Sequence, residues 1–228
     1  MITLRPSAQR GHVQFDWLNS RHSFSFGSYY DPRFMGFGHL RVINEDVIDA
    51  GMGFGTHGHR NMEIITYVLD GVLAHKDSTG GQGEIKPDEV QVMSAGRGIH
   101  HSEMNGSATA DVHLLQIWLL PREGNTQPGY AQRHFPRQPG LTLLVSPDGR
   151  DASLPIRQDA DLSRALIGAG ERLGYALRRR RAWVQVARGT LRLNGAELHP
   201  GDGASVEDLT QLVFEAVTDA EVLIFDLL

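Results

Sequence analysis

The chain has 228 residues, a net charge of -5 and a pI near 6.1, so a whole-protein electrostatic affinity for nucleic acid or for an anionic membrane is not expected. It has no cysteine, which excludes disulfides, thiolate nucleophiles, iron–sulfur clusters and cysteine-zinc sites and leaves histidine and carboxylate as the strong ligands for a transition metal. The length is long for one compact domain and fits two of about 100 residues each, and the N-terminal stretch lacks the apolar core of a secretory signal, so a soluble cytoplasmic protein is expected.

Twenty-six glycines and ten prolines separate many short apolar runs, the pattern of a mostly β chain. In chain order, His22, Phe24 and Phe26 alternate, which reads as an apolar strand packed on a barrel, with a place in a substrate mouth as the second reading. Residues 38–48 and 63–69 read as strands, being short, rich in β-branched residues and bounded by turn formers. Strands are expected next at 72–75, 83–85 and 90–93, separated by polar turns, and again at 113–119. Residues 121–140, with four prolines and three glycines, are the expected linker between domains. A strand series restarts at 141–146, and 159–169 holds a helical turn at most. The arginine run 178–181 reads as a solvated strand end or a guarded edge, and His199 as a structural residue at a turn.

The second half repeats the first in outline: strand, glycine turn, strand, turn, then a proline-containing turn and a strand. Such a duplication implies two β-barrels or sandwiches in tandem. Matching Gly71 to Gly189 sets His57 on Tyr175, His59 on Leu177 and Glu63 on Arg181; matching Pro87 to Pro200 sets His101 on Phe214 and Glu103 on Ala216. Every metal-type residue is lost in the second copy, so one site is expected, in the first.

That site rests on His57 and His59 and on His101 and Glu103, two pairs at i, i+2 spacing that each aim both side chains to one face of a strand. Three imidazoles and a carboxylate suit iron, manganese, nickel, copper or zinc and leave open positions on a metal that wants five or six ligands. His100 falls on the opposite face. Glu63 satisfies the same parity as His57 and His59 if the strand runs unbroken, so spacing allows either glutamate.

The first cupin motif is met by Gly51, His57, His59 and Glu63, with Gly71 one residue late. The second is met in its last part by Gly98, His101 and Asn105, with Gly96 in place of a proline. Together with RHSFSFGSYYDPRFMGFGHLRVINED, GFGTHGHRNMEIITYVLDG and MSAGRGIHHSEMN, these residues resemble the pirin family, and within it the bacterial pirin-like quercetin 2,3-dioxygenases. The resemblance is dense through about residue 135 and looser to the C-terminal FDLL. It implies an all-β bicupin of two tandem antiparallel jelly-roll barrels: a metal-binding cupin over 1–135 and a degenerate one over 136–228. It further implies one divalent metal per chain, iron first, on His57, His59, His101 and Glu103. Glu63 is then a supporting group or a buried carboxylate paired with an arginine such as Arg60, while His22 and Arg60 join it as candidates beside the metal or the substrate. The implied reaction opens the central ring of a flavonol with dioxygen, Glu103 accepting a proton; a metal-dependent regulatory or redox-sensing protein with a protein partner is the alternative.

Overall fold

Runs of β-branched and aliphatic residues, cut every few positions by glycine, proline, asparagine or aspartate, give the chain strands and almost nothing else. The computed structural model describes all 228 residues. In chain order the strands are β1 Ile2–Arg5, β2 Gly11–Phe15, β3 Leu18–His22, β4 Leu40–Ile48, β5 Gly53–His59, β6 Glu63–Asp70, β7 Leu73–Asp77, β8 Gln82–Ile85, β9 Glu89–Ser94, β10 Ile99–Asn105, β11 Val112–Leu119 and β12 Gly129–His134. The series continues with β13 Gly140–Ser146, β14 Leu154–Pro155, β15 Ala160–Ile167, β16 Arg172–Ala176, β17 Arg181–Arg188, β18 Leu191–Leu193, β19 Ala196–Leu198, β20 Gly203–Glu207, β21 Gln211–Ala216 and β22 Ala220–Leu227. Two single 3-10 turns, at Ser7–Gln9 and Arg150–Ala152, are the other regular elements.

The strands form two compact units. One holds Gly11–Phe135 and Ile156–Gln158, with a seven-stranded sheet ordered β12-β9-β6-β11-β4-β3-β2 and a four-stranded sheet ordered β5-β10-β7-β8. The other holds Met1–Arg10, Pro136–Pro155 and Asp159–Leu228, with sheets ordered β1-β20-β17-β22-β15-β13-β14 and β16-β21-β18-β19. Sheet for sheet, β6, β9 and β11 correspond to β17, β20 and β22, and β5, β7 and β10 to β16, β18 and β21: the fold is a bicupin. The two glycines that align the repeats serve the same purpose. Gly71 and Gly189 both turn at positive φ, and a Cβ on either would strike the backbone just before β11 or β22.

Four expectations change. The first ten residues belong to the second unit, because β1 pairs with β20, Arg5 opposite Gly203. The proline-rich stretch is not all linker: within it β12 pairs with β9 along the edge of the first unit's larger sheet. Residues 160–167 are a full strand, β15, buried on both faces; Asp161 and Arg164, which point to opposite faces, are both buried, so the alternation expected of a half-solvated strand is missing. The alternating His22, Phe24 and Phe26 are also not one strand: β3 ends at His22, after which Ser23, Phe24 and Ser25 are all buried.

The cores differ between units. The second is filled by one large cluster that includes Tyr175, Val184, Leu193, Leu212, Phe214 and Ile224. In the first, apolar clusters occupy the ends, around Ile48, Val68 and Leu114 and around Ile64, Met93 and Ile99, while polar side chains hold the ground between the sheets.

Candidate metal centre

β5 and β10 pair antiparallel with His57 directly opposite His101 and His59 opposite Ile99, so the histidines of two strands meet on one face. Ring centroids lie 4.4 Å apart for His57 and His101, and 4.8 Å apart for His59 with each of the other two. One nitrogen from each ring falls within 4.8 Å of the others. His57 Nδ1 donates to the Gly55 carbonyl at 2.8 Å, which leaves its Nε2 as the lone-pair nitrogen. His101 is 1% exposed and neither of its ring nitrogens has a hydrogen-bond partner. A buried imidazole without partners is uncommon in a folded protein, and a cation at its lone pair would satisfy one of the two nitrogens. His59 and His101 are held neutral, as ligands must be: burial, with His57 adding, lowers His59 to about 4, and burial, with His57, His59 and His75 adding, lowers His101 to about 3.

Glu103 follows His101 by two residues across a bulge in the β5–β10 pairing and is buried. Both its oxygens accept from Gln116 Nε2, at 2.9 and 2.8 Å, and Thr66 Oγ1 lies 3.5 Å from one of them. Thr66 is in turn reached by Gln91 Nε2 at 3.3 Å. These three come from adjacent strands at matching register, Gln116 opposite Thr66 and Thr66 opposite Gln91, which makes a polar row across the inner face of the larger sheet. Burial raises the Glu103 carboxyl above its ordinary range, against the opposing pull of Gln116.

Glu103 does not close on the three histidines alone. Its carboxylate groups with His101 and with His75 of β7, a residue the sequence reading passed over. His75 Nε2 lies 3.0 Å from Asp77, and its ring stacks on Tyr130 at 4.9 Å. Asp77 also takes hydrogen bonds from Thr79 and Gly81. Burial pushes this carboxyl up, yet the donors outweigh it and hold it below the usual value. Burial, with Asp77 and Glu89, pushes the Tyr130 hydroxyl up to about 12. The signal was present in the sequence, since His75 and Asp77 have the same i, i+2 spacing as the other pairs.

Glu63 stands apart. The chain turns through Asn61, at φ 52, and changes sheets between β5 and β6, so the parity that linked Glu63 to His57 and His59 does not operate. Its carboxylate accepts from Ser94 Oγ at 2.7 Å and from the Arg157 backbone N–H at 3.2 Å, and burial raises its pKa. The arginine beside it is Arg157, not Arg60; Arg60 is exposed and donates to Asn125.

A cavity of about 440 Å³ opens onto the cluster. His22, Phe26, His57, His59, Glu103 and Gln116 are among its lining, so His22 is at the pocket. Two aromatic chains flank it. On one side Phe15, Trp17, Phe54 and His57 touch in sequence; on the other, His22, Phe26, Trp118 and His59 do. No helix of the chain is long and apolar enough to cross a membrane.

Residues 3–119 match the family model described as Pirin, and residues 143–227 the one described as Quercetinase C-terminal cupin domain. The chain is 48% identical to the quercetin 2,3-dioxygenase of Escherichia coli K12, over 100% of this chain and 99% of that protein. It is 40% identical to a pirin-like protein of Caulobacter vibrioides, with 99% of each chain covered. Among solved structures, the bacterial pirin YhhW of Escherichia coli in complex with nickel(II) superposes with a TM-score of 0.96 at 47% identity, over 100% of this chain and 99% of that one. A quercetin 2,3-dioxygenase of Acinetobacter baumannii, 20% identical over 98% of this chain and 84% of that one, shares the fold with a TM-score of 0.78. A paired barrel whose first half gathers histidines and whose second half does not, matched by both family models across nearly its whole length, places this chain in the pirin family.

Proposed function

We propose that the chain is a metal-dependent dioxygenase that opens the central ring of flavonols such as quercetin, with one divalent transition metal held by His57, His59, His101 and Glu103. The observation that carries this reading is the meeting of three imidazoles, His101 buried without any hydrogen-bond partner and His57 and His59 on the lining of an aromatic-walled cavity. The names and nickel(II) complex of the near-identical-length relatives support it.

A divalent ion in this set would supply Lewis acidity that makes a phenolic or enolic hydroxyl easier to ionise. With one carboxylate among the ligands the centre carries a net charge of +1, which suits a flavonol that has lost its 3-hydroxyl proton. Glu103 is the carboxylate assigned to take that proton, and Gln116 keeps it turned to the site. The aromatic walls hold the flat rings and keep water from the anion. Dioxygen is the co-substrate, and ring opening releases carbon monoxide. Iron is the expected native ion, although the same ligands accept nickel, manganese, copper or zinc.

Metal analysis of the purified protein, followed by oxygen uptake with each reloaded metal and a flavonol panel, tests the reading. Turnover with carbon monoxide release is the expected result. Failure with every metal would return the chain to the alternative, a metal-dependent regulatory or redox-sensing protein.

A further inference from the structure

β10 is an inner strand of its sheet, with β5 on one side and β7 on the other, so histidines reach His101 and Glu103 from two flanks. On β5, His57 stands opposite His101; on β7, His75 stands opposite Glu103 and Asp77 opposite His101. The first flank is half-buried and lines the cavity through His57 and His59. On the second, His75 and Asp77 are buried, as are His101 and Glu103 themselves.

The hydrogen bonds of Asp77 decide which nitrogen of His75 carries the proton. Asp77 Oδ1 accepts from Thr79 N at 2.7 Å, Thr79 Oγ1 at 2.6 Å and Gly81 N at 3.1 Å, and Oδ2 lies 3.0 Å from His75 Nε2. The turn after β7 is shaped for this, since a Cβ on Gly81 would strike the Asp77 carboxylate. An ionised carboxylate only accepts, so Nε2 is the N–H nitrogen of His75 and Nδ1 carries the lone pair. That Nδ1 is buried without a hydrogen-bond partner, as are both nitrogens of His101. His75, His101 and Glu103 each bring one ligand atom within 4.8 Å of the other two. Gln116 and Thr66 reach the Glu103 oxygens, but no hydrogen bond joins the three residues to one another. Lone pairs gathered in this way repel unless a positive charge lies between them. A ligand nitrogen meets its ion at about 2.0–2.1 Å, closer than a water can roll over it, so a nitrogen facing an ion needs no accessible surface.

We propose that His75, His101 and Glu103 form an inner position for a divalent transition metal, alternative to the outer one at His57, His59 and His101. A neutral imidazole has one lone pair, so the shared His101 serves one ion at a time. An ion in the inner position sits behind the cavity lining, to which neither His75 nor His101 contributes. The inference rests on the proposed function for the outer histidines being the working ligands, but it is read by metal binding alone.

The test is titration with cobalt(II) chloride, followed by calorimetry and visible absorption, on variants whose fold is checked by circular dichroism. His57→Leu with His59→Leu removes the outer position and should still bind one cobalt(II) per chain, weakened by more than the about 100-fold that a lost supporting contact costs. Adding His75→Leu should abolish that binding; it copies Leu193, which faces Phe214 in the second unit as His75 faces Glu103. Adding Asp77→Asn instead keeps the imidazole. The three donors at Oδ1 hold the amide oxygen, the NH2 group faces His75 Nε2, the proton moves to Nδ1, and binding should again be lost. No binding to the double variant, or binding that survives either added change, would overturn the inner position. If all variants behave as expected but no flavonol is opened with any metal, the dioxygenase reading falls and the inner position stands.

Discussion

In the first unit β5 and β10 set His57 opposite His101; in the second, β16 and β21 set Tyr175 opposite Leu212. Beside them Glu103 faces Phe54 and His75, whereas Phe214 faces Leu173 and Leu193. The backbone pairing is the same and the interiors are opposite. By register the counterpart of His101 is Leu212 and that of Glu103 is Phe214, not Phe214 and Ala216 as the proline match gave, because the stretch after the proline is shorter in the second half. The difference teaches that the barrel imposes no chemistry of its own. One copy fills its interior with large apolar side chains, each contributing about 1.5–3 kcal/mol by burial. The other gives up that filling for a row of amides, hydroxyls and imidazoles that need one another or a ligand.

The sharpest way to break the contrast is to give the first unit the side chains of the second. His59→Leu with His101→Leu copies Leu177 and Leu212, and should reduce metal content from about one per chain to near zero by elemental analysis, with turnover lost alongside. Two metals per wild-type chain would contradict the contrast outright. The converse damage is structural: Phe214→Ala, at a fully buried position, should destabilise by about 3–5 kcal/mol in denaturant titrations while the metal content of the folded protein stays the same. Gln116→Leu removes the donor that orients Glu103 and should weaken metal binding by about 10 to 100-fold in competition with a chelator.

Acid separates the units more gently. Because folding holds His59 to about 4 and His101 to about 3, the unfolded chain binds more protons than the folded one between those values and about 6.5. The contribution of these two neutral histidines to stability is therefore complete above pH 6.5 and declines as pH falls. The metal-free wild type should lose more stability between pH 7 and pH 5 than the double leucine variant. A plain histidine value would put metal release near pH 6 to 5; the lowered values move it below pH 5, which a dialysis series would show. The smallest effect is expected at Glu63→Gln, which should keep the metal and shift stability by less than about 1 kcal/mol, because burial already favours the neutral carboxyl. Metal lost at Glu63→Gln and kept at Glu103→Gln would reverse the two glutamates.

How far the sequence carried the reading depends on where parity survives. His57 with His59 and His101 with Glu103 were legible because each pair lies within one strand, where alternate residues share a face. Glu63 was ambiguous for a physical reason: a turn at Asn61 and a change of sheet intervene, and spacing does not register either. His75 was missed although His75 and Asp77 carry the same signal, since a single histidine in a short strand looks like ordinary structure. Thr66, Gln91 and Gln116 could not be found by spacing at all; they come from three strands and meet only through sheet register. β15 escaped for a related reason, as an aspartate and an arginine buried on its two faces hide the alternation that marks a strand.

The pairing of Arg5 with Gly203 bears on how the chain is made. On the ribosome, Ile2–Arg5 emerges long before its partner strand β20, so everything from Gly11 to Phe135 can fold while β1 waits without a partner. Closing so long a loop is entropically unfavourable, and it comes late. Until it closes, the edge of β20 offers its backbone to any free strand, including the same leading segment of another copy, which is the route to exchanged dimers. A bulky fusion at the N-terminus should therefore disturb the second unit, whose β20 is far along the chain, before it touches the metal centre, whose first histidine, His57, comes much sooner.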